Sequence, residues 1–222
     1  MVIFLKRSSK SAVVKDDRET NNFPELVSGR LEAFSDGVMA IAITLLSLEI
    51  KLPEYHGDLL GDLVALWPTY VGFVLSFMLI GQVWLNHHAV FHILRVVDQR
   101  VLIFNLLLLL DVVFLPFATS VLTDSLEVGS EARVGAVFYG SVMVIGGLLF
   151  NVLWHSAIRN PNNLKIEISE SVVRRMSLRF ALGPFLYMFA CVLGAINAWL
   201  SIGAYICLIM FYMMDSMSTS RD

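Results

Sequence analysis

Residues 30–50 read RLEAFSDGVMAIAITLLSLEI. Arg30 and Asp36 open a stretch that is otherwise apolar enough to enter a bilayer, where an Arg or Asp at the centre of an inserted helix costs roughly 2.5–3.5 kcal/mol. Drawn at about 100° per residue, Arg30, Phe34, Gly37, Ile41, Thr44, Leu45 and Leu48 fall within one stripe. Ala33, Asp36, Ala40 and Ser47 fall on another side, small and polar in the way of helix–helix contacts within membranes. Arg30 and Asp36 point about 120° apart, so neither can satisfy the other. Each is expected to find a partner on another element.

The rest of the chain is of the same kind. Of its 222 residues, 57% are hydrophobic and 16% charged, and the mean hydropathy is +0.71. Soluble domains hold about 45–50% apolar and about 25% charged residues, so lipid is the main solvent here. Six stretches, approximately 31–51, 64–91, 99–122, 133–157, 173–196 and 199–215, are long enough for the ~20 residues that cross the hydrocarbon. The breaks LPEYHGD, TDSLEVGSE and RNPNNLK separate them, and a very short turn at Asn197 makes the last two a tight hairpin. The expected fold class is therefore all-α, a polytopic membrane protein. Residues 1–28 form a polar tail, 29–215 the transmembrane domain and 216–222 a second tail. The amino-terminal apolar run is too short for a signal peptide, and its basic residues follow it instead of preceding it.

Lysine and arginine orient the chain. With the amino terminus inside, 14 of the 16 basic residues lie on inner segments, and only Lys51 and Arg133 lie outside. By the positive-inside rule both termini are cytoplasmic. The outer loops are short and acidic, which leaves no room for an extracellular catalytic domain. The two cysteines, Cys191 and Cys207, sit in apolar runs and read as buried thiols. No internal repeat accompanies the opening stretch, unlike the repeat-built transporters.

On this orientation residues 30–36 occupy the cytoplasmic third of the first span. The second span descends and brings Gln82, Trp84, Asn86, His87 and His88 to that level, from which the third span leaves with Asn105 and then Asp111. Buried polar groups in hydrocarbon need one another, so these residues are expected to tie the three helices together. For His87, His88 and His92, hydrogen bonding outweighs metal ligation, because no carboxylate or thiol stands at ligand spacing. Pro116 is expected to bend the third span. No cofactor, metal, nucleic-acid partner or catalytic motif is indicated.

RLEAFSD is an instance of Arg-x-x-x-Phe-Ser-Asp, and with it the chain resembles the transmembrane-protein-175 family of potassium channels. The likeness covers residues 29–215: the signature, the tryptophan–histidine end of the second span, the Pro-Phe of the third, and six spans. A single repeat is similar to the prokaryotic members, which implies a homotetramer in the cell membrane whose first helices line a central pore. The resemblance makes Arg30, Phe34, Ser35 and Asp36 the signature that holds the pore helix. It makes Ile41, Leu45 and Leu48 a hydrophobic constriction, and Thr44 a hydroxyl layer for selecting potassium. There is no TVGYG segment, so a carbonyl-cage filter of the usual kind is absent. The residues themselves also admit a proton-coupled secondary transporter built on the intramembrane Asp and His side chains. A membrane enzyme is the weakest reading, for want of a nucleophile.

Overall fold

The structure, a computed structural model, describes residues 26–53, 57–165 and 169–219, with side chains from 28 to 212. The expected tail of residues 1–28 lies, up to position 25, outside the described residues. Helix α1 runs Ser28–Leu45 and tightens into a 3-10 turn at Leu46–Glu49. Helix α2 (Leu59–Ala65) leads through Leu66 into α3 (Trp67–Ile93), where Pro68 sits in the first turn. Pro is tolerated there because its missing N–H would have no helical partner. Helices α4 (Gln99–Val128), α5 (Ala132–Arg159), α6 (Glu170–Ile196) and α7 (Ala198–Thr219) follow. Helix α4 passes unbroken through Pro116.

Five of these helices, α1 with its 3-10 turn, α3, α4, α5 and α6, are long and apolar enough to cross a membrane. The sixth expected span is α7, of which the apolar part with described side chains is the shorter Ala198–Tyr212. Asn197 alone separates α6 from α7. Its side chain accepts from the Trp199 N–H, and Ser201 Oγ donates to the Ala190 carbonyl at 2.8 Å, so the expected hairpin is closed by its own polar groups. Helix α7 runs on to Thr219, so a tail beginning at 216 starts as helix. At the α4–α5 turn, Gly129 takes φ 73°, a left-handed conformation that costs glycine nothing.

One departure from an all-α chain closes the basic end of the bundle. β1 (Leu26–Val27) pairs antiparallel with β2 (Val96–Val97), and Leu94 bridges Leu164. Leu94 and Val97 are buried, so their backbone groups need partners that the α3–α4 connector cannot supply by itself. Helix α5 packs between α4 and α6, and α1 rests on α3 and α4. Of the two cysteines, Cys191 is buried but Cys207 is exposed. An apolar run does not place a thiol in the core when one side of its helix looks outward.

Candidate pore helix and its anchors

Helix α1 has three sides. Leu31, Ser35, Met39, Ala42 and Leu46 recur at helical spacing and are buried against the rest of the bundle. The predicted stripe is open: Phe34 is 52% exposed, Ile41 61%, Leu45 37% and Leu48 71%. Gly37 and Thr44 on the same stripe are exposed too. The small face was expected to make helix contacts. Within the chain it does not, since Ala33, Ala40 and Ser47 are exposed and only Asp36 is half-buried. Packing falls instead on the side where long apolar residues alternate with the small Ser35 and Ala42, which lets α1 sit close to its neighbours while still filling the core. The 3-10 turn begins between Leu45 and Leu48. At three residues per turn, positions i and i+3 eclipse, so these two side chains stay in line.

Thr44 Oγ1 donates to the Ile41 carbonyl at 2.8 Å. Its proton is therefore engaged with the backbone, and the exposed oxygen keeps its capacity to accept.

Polar bonds hold the other side. Ser35 Oγ donates to the Leu31 carbonyl at 2.8 Å and receives Asn105 Nδ2 at 2.9 Å. Asn105 Oδ1 then accepts from His87 Nε2 at 2.8 Å. All three side chains are buried, so α1, α3 and α4 are joined by one chain of bonds. The His87 ring stacks on Phe91 at 4.2 Å between centroids, and its Nδ1 is left as a buried acceptor. Beside this chain, Trp84 Nε1 donates to Asp36 Oδ1 at 2.9 Å. Ser35, Asp36, Trp84, His87 and Asn105 thus lie together between α1, α3 and α4.

His88 belongs to the same layer through a residue not singled out before: its Nδ1 donates to Glu32 Oε1 at 2.9 Å. The only available signal was the spacing of Glu32 from Asp36, which puts both carboxylates on adjoining turns.

Four expected members stand apart. Arg30 is exposed and makes no hydrogen bond or ion pair with a described residue, so its expected partner is not among them. Asp111 and Asn86 line a separate pocket with Gln82, Arg179 and Tyr187, away from α1. The reason is rotation: six residues after Asn105, Asp111 is turned about 120° from it. The Asp111 carboxylate lies against Gly146 on α5, where any side chain would collide with it. Tyr187 donates to Gln82 Oε1 at 3.4 Å nearby.

Comparison with known proteins decides what this arrangement belongs to. A family model described as the endosomal/lysosomal potassium channel TMEM175 matches residues 30–116, beginning at Arg30. A potassium channel of Chamaesiphon minutus is 38% identical, over 85% of this chain and 95% of its own length. One of Streptomyces collinus is 40% identical, over 83% of this chain and 91% of its own. The chain belongs to the TMEM175 family. Its fold matches the crystal structure of a lysosomal potassium-selective channel TMEM175 homolog from Chamaesiphon minutus, with TM-score 0.77, 38% identity and coverage of 85% and 97% of the two chains. The crystal structure of a variant of the potassium channel MtTMEM175, in complex with a nanobody fusion protein, shares the fold at 19% identity, with TM-score 0.59, over 90% and 99%. The vertebrate relative of Gallus gallus, an endosomal/lysosomal proton channel, is 32% identical, but the match spans 28% of its length. This TMEM175 member is thus a multi-pass membrane protein and an ion channel, not an enzyme.

Proposed function

We propose that the protein is a potassium-selective channel of the prokaryotic cell membrane, a homotetramer of six-span subunits with both termini cytoplasmic and α1 lining a central pore. The observation that carries this reading is the open stripe on α1. Ile41 and Leu48 are 61% and 71% exposed on a helix whose opposite side is buried and bonded by Ser35, Asp36 and Glu32. A helix that only met lipid would not need so many polar anchors to fix its rotation. Four such stripes about an axis form a narrow aliphatic neck from Ile41, Leu45 and Leu48, which excludes ions by dewetting when tight. The small face of Ala33, Ala40 and Ser47 then meets the neighbouring copy.

In this reading Thr44 supplies four hydroxyl oxygens that replace part of a cation's hydration shell, with their protons held back by the Ile41 carbonyl. Hydroxyl dipoles are weaker than a carbonyl cage, so potassium is preferred to sodium only modestly. Acidic residues at the outer mouth, such as Asp58 and Asp62, raise the local cation concentration. Potassium ions and bilayer lipid are then the partners, and no cofactor takes part.

Planar-bilayer recording of the purified protein under opposed potassium and sodium gradients tests this. The expected result is discrete currents with a reversal potential displaced toward potassium, and a larger resting leak for Ile41→Asn. Saturating flux without unitary currents would favour a carrier, and an unchanged leak in Ile41→Asn would remove the neck.

A further inference from the structure

At the basic end of the bundle, α4 and α5 line an open cleft of about 680 Å³ between Arg100 and Leu148. Arg100 in the first turn of α4 and Arg159 in the last turn of α5 line its basic end, and His155, Ser156 and Asn151 also line it. Both arginines are exposed, and neither makes an ion pair or hydrogen bond with a described residue. No carboxylate lines the cleft among the described residues. The nearest acid in sequence, Asp98, has both oxygens in use: one accepts the Val101 N–H and the other Asn163 Nδ2. His155 Nδ1 bonds the Asn151 carbonyl at 2.8 Å. A carbonyl can only accept, so Nδ1 carries a proton, and no described residue bonds Nε2.

The floor is of the opposite character. Phe104, Leu148 and Val152 form it, and Leu148 lies about 16 Å along α5 from Arg159 at 1.5 Å per residue. Two unpaired guanidiniums thus cap an apolar trough that runs toward the membrane centre. Guanidinium pairs bind phosphate oxygens in fixed forked geometry, and basic pockets between membrane helices suit acidic headgroups. The apolar floor has no use for a free phosphate but fits an acyl chain.

We propose that this α4–α5 cleft is a binding site for one anionic phospholipid of the leaflet bounding the basic end, its phosphate held by Arg100 and Arg159 and its acyl chain lying over Phe104, Leu148 and Val152. The site is built by two helices that do not carry the pore stripe, so occupancy fixes the α4–α5 contact on which α1 in turn rests through Asn105.

Native mass spectrometry of the detergent-solubilised full chain, equilibrated with phosphatidylglycerol or phosphatidylcholine, tests the site. Phosphatidylglycerol should be retained under activation that strips phosphatidylcholine. The double substitution Arg100→Gln with Arg159→Gln should lower that retention by about tenfold or more. Arg174→Gln with Arg175→Gln, the same charge loss on α6, should leave it unchanged. If the first pair fails to fold, Val152→Trp fills the floor without touching charge and should also release the lipid. Equal retention of the two lipids, equal loss in both double variants, or full displacement by inorganic phosphate would each overturn the proposal. So would cross-linking of an Arg159→Cys variant between copies, which would make a second subunit the occupant. The readout is lipid retention and not current, so its failure leaves the channel reading standing.

Discussion

Asn105 and Trp84 both hold α1, yet they are expected to matter unequally. Asn105 makes two bonds in a fully buried setting, and Asn105→Leu strands His87 Nε2 and removes one of the two bonds of Ser35 Oγ, which keeps the Leu31 carbonyl. Each unmet buried group costs about 1–3 kcal/mol. Trp84→Phe removes one bond to Asp36, which is only half-buried and can be hydrated. Single hydrogen bonds between membrane helices average about 0.6 kcal/mol. Thermal unfolding in detergent should therefore rank Asn105→Leu well below Trp84→Phe in stability, and the reverse order would contradict the network. These anchors could be read from sequence because depth follows from position along each span. Their exact pairing could not, since depth says nothing about rotation. The arithmetic that separates Arg30 from Asp36 also separates Asn105 from Asp111, and it sends Asp111 to the Gln82–Arg179 pocket.

Helix contacts in this bundle depend on small residues at particular crossings. Gly140 on α5 faces Cys191 of α6 and the Tyr205 hydroxyl of α7 with no space for a Cβ. Gly203 on α7 has nothing within 4 Å of that position. Gly140→Ala should thus destabilise by about 1–3 kcal/mol through overpacking. Gly203→Ala should stabilise by about 0.5–1 kcal/mol by restricting the unfolded backbone. Parallel melting curves in one detergent check both signs. Span positions were legible because twenty apolar residues have few alternatives to a membrane helix. Two features were not. The β1–β2 ladder involves two residues per strand, below any periodicity, and it exists because buried connector backbone needs partners. The side of α1 that packs within the chain was not legible either, because small residues mark close helix approach without saying whether the partner belongs to the same chain.

The assembled molecule is where apolar surface becomes ambiguous. Phe185, Phe189 and Ile196 on α6 are 74%, 63% and 63% exposed, values close to those of Ile41 and Leu48. Lipid and a dewetted neck both select bulky aliphatic or aromatic side chains, so composition alone cannot tell them apart. In the proposed channel, what sets α1 apart is the set of polar bonds to α3 and α4, together with membership of a channel family. Cysteine accessibility distinguishes the two environments by experiment. In a Cys207→Ala background, where Cys191 stays buried, Leu48→Cys should react with a charged methanethiosulfonate applied in bilayer recordings and lose its current. Phe185→Cys on α6, itself 74% exposed, should keep its current. If Leu48→Cys conducts unchanged under the reagent while Phe185→Cys is blocked, α1 does not surround the ion path.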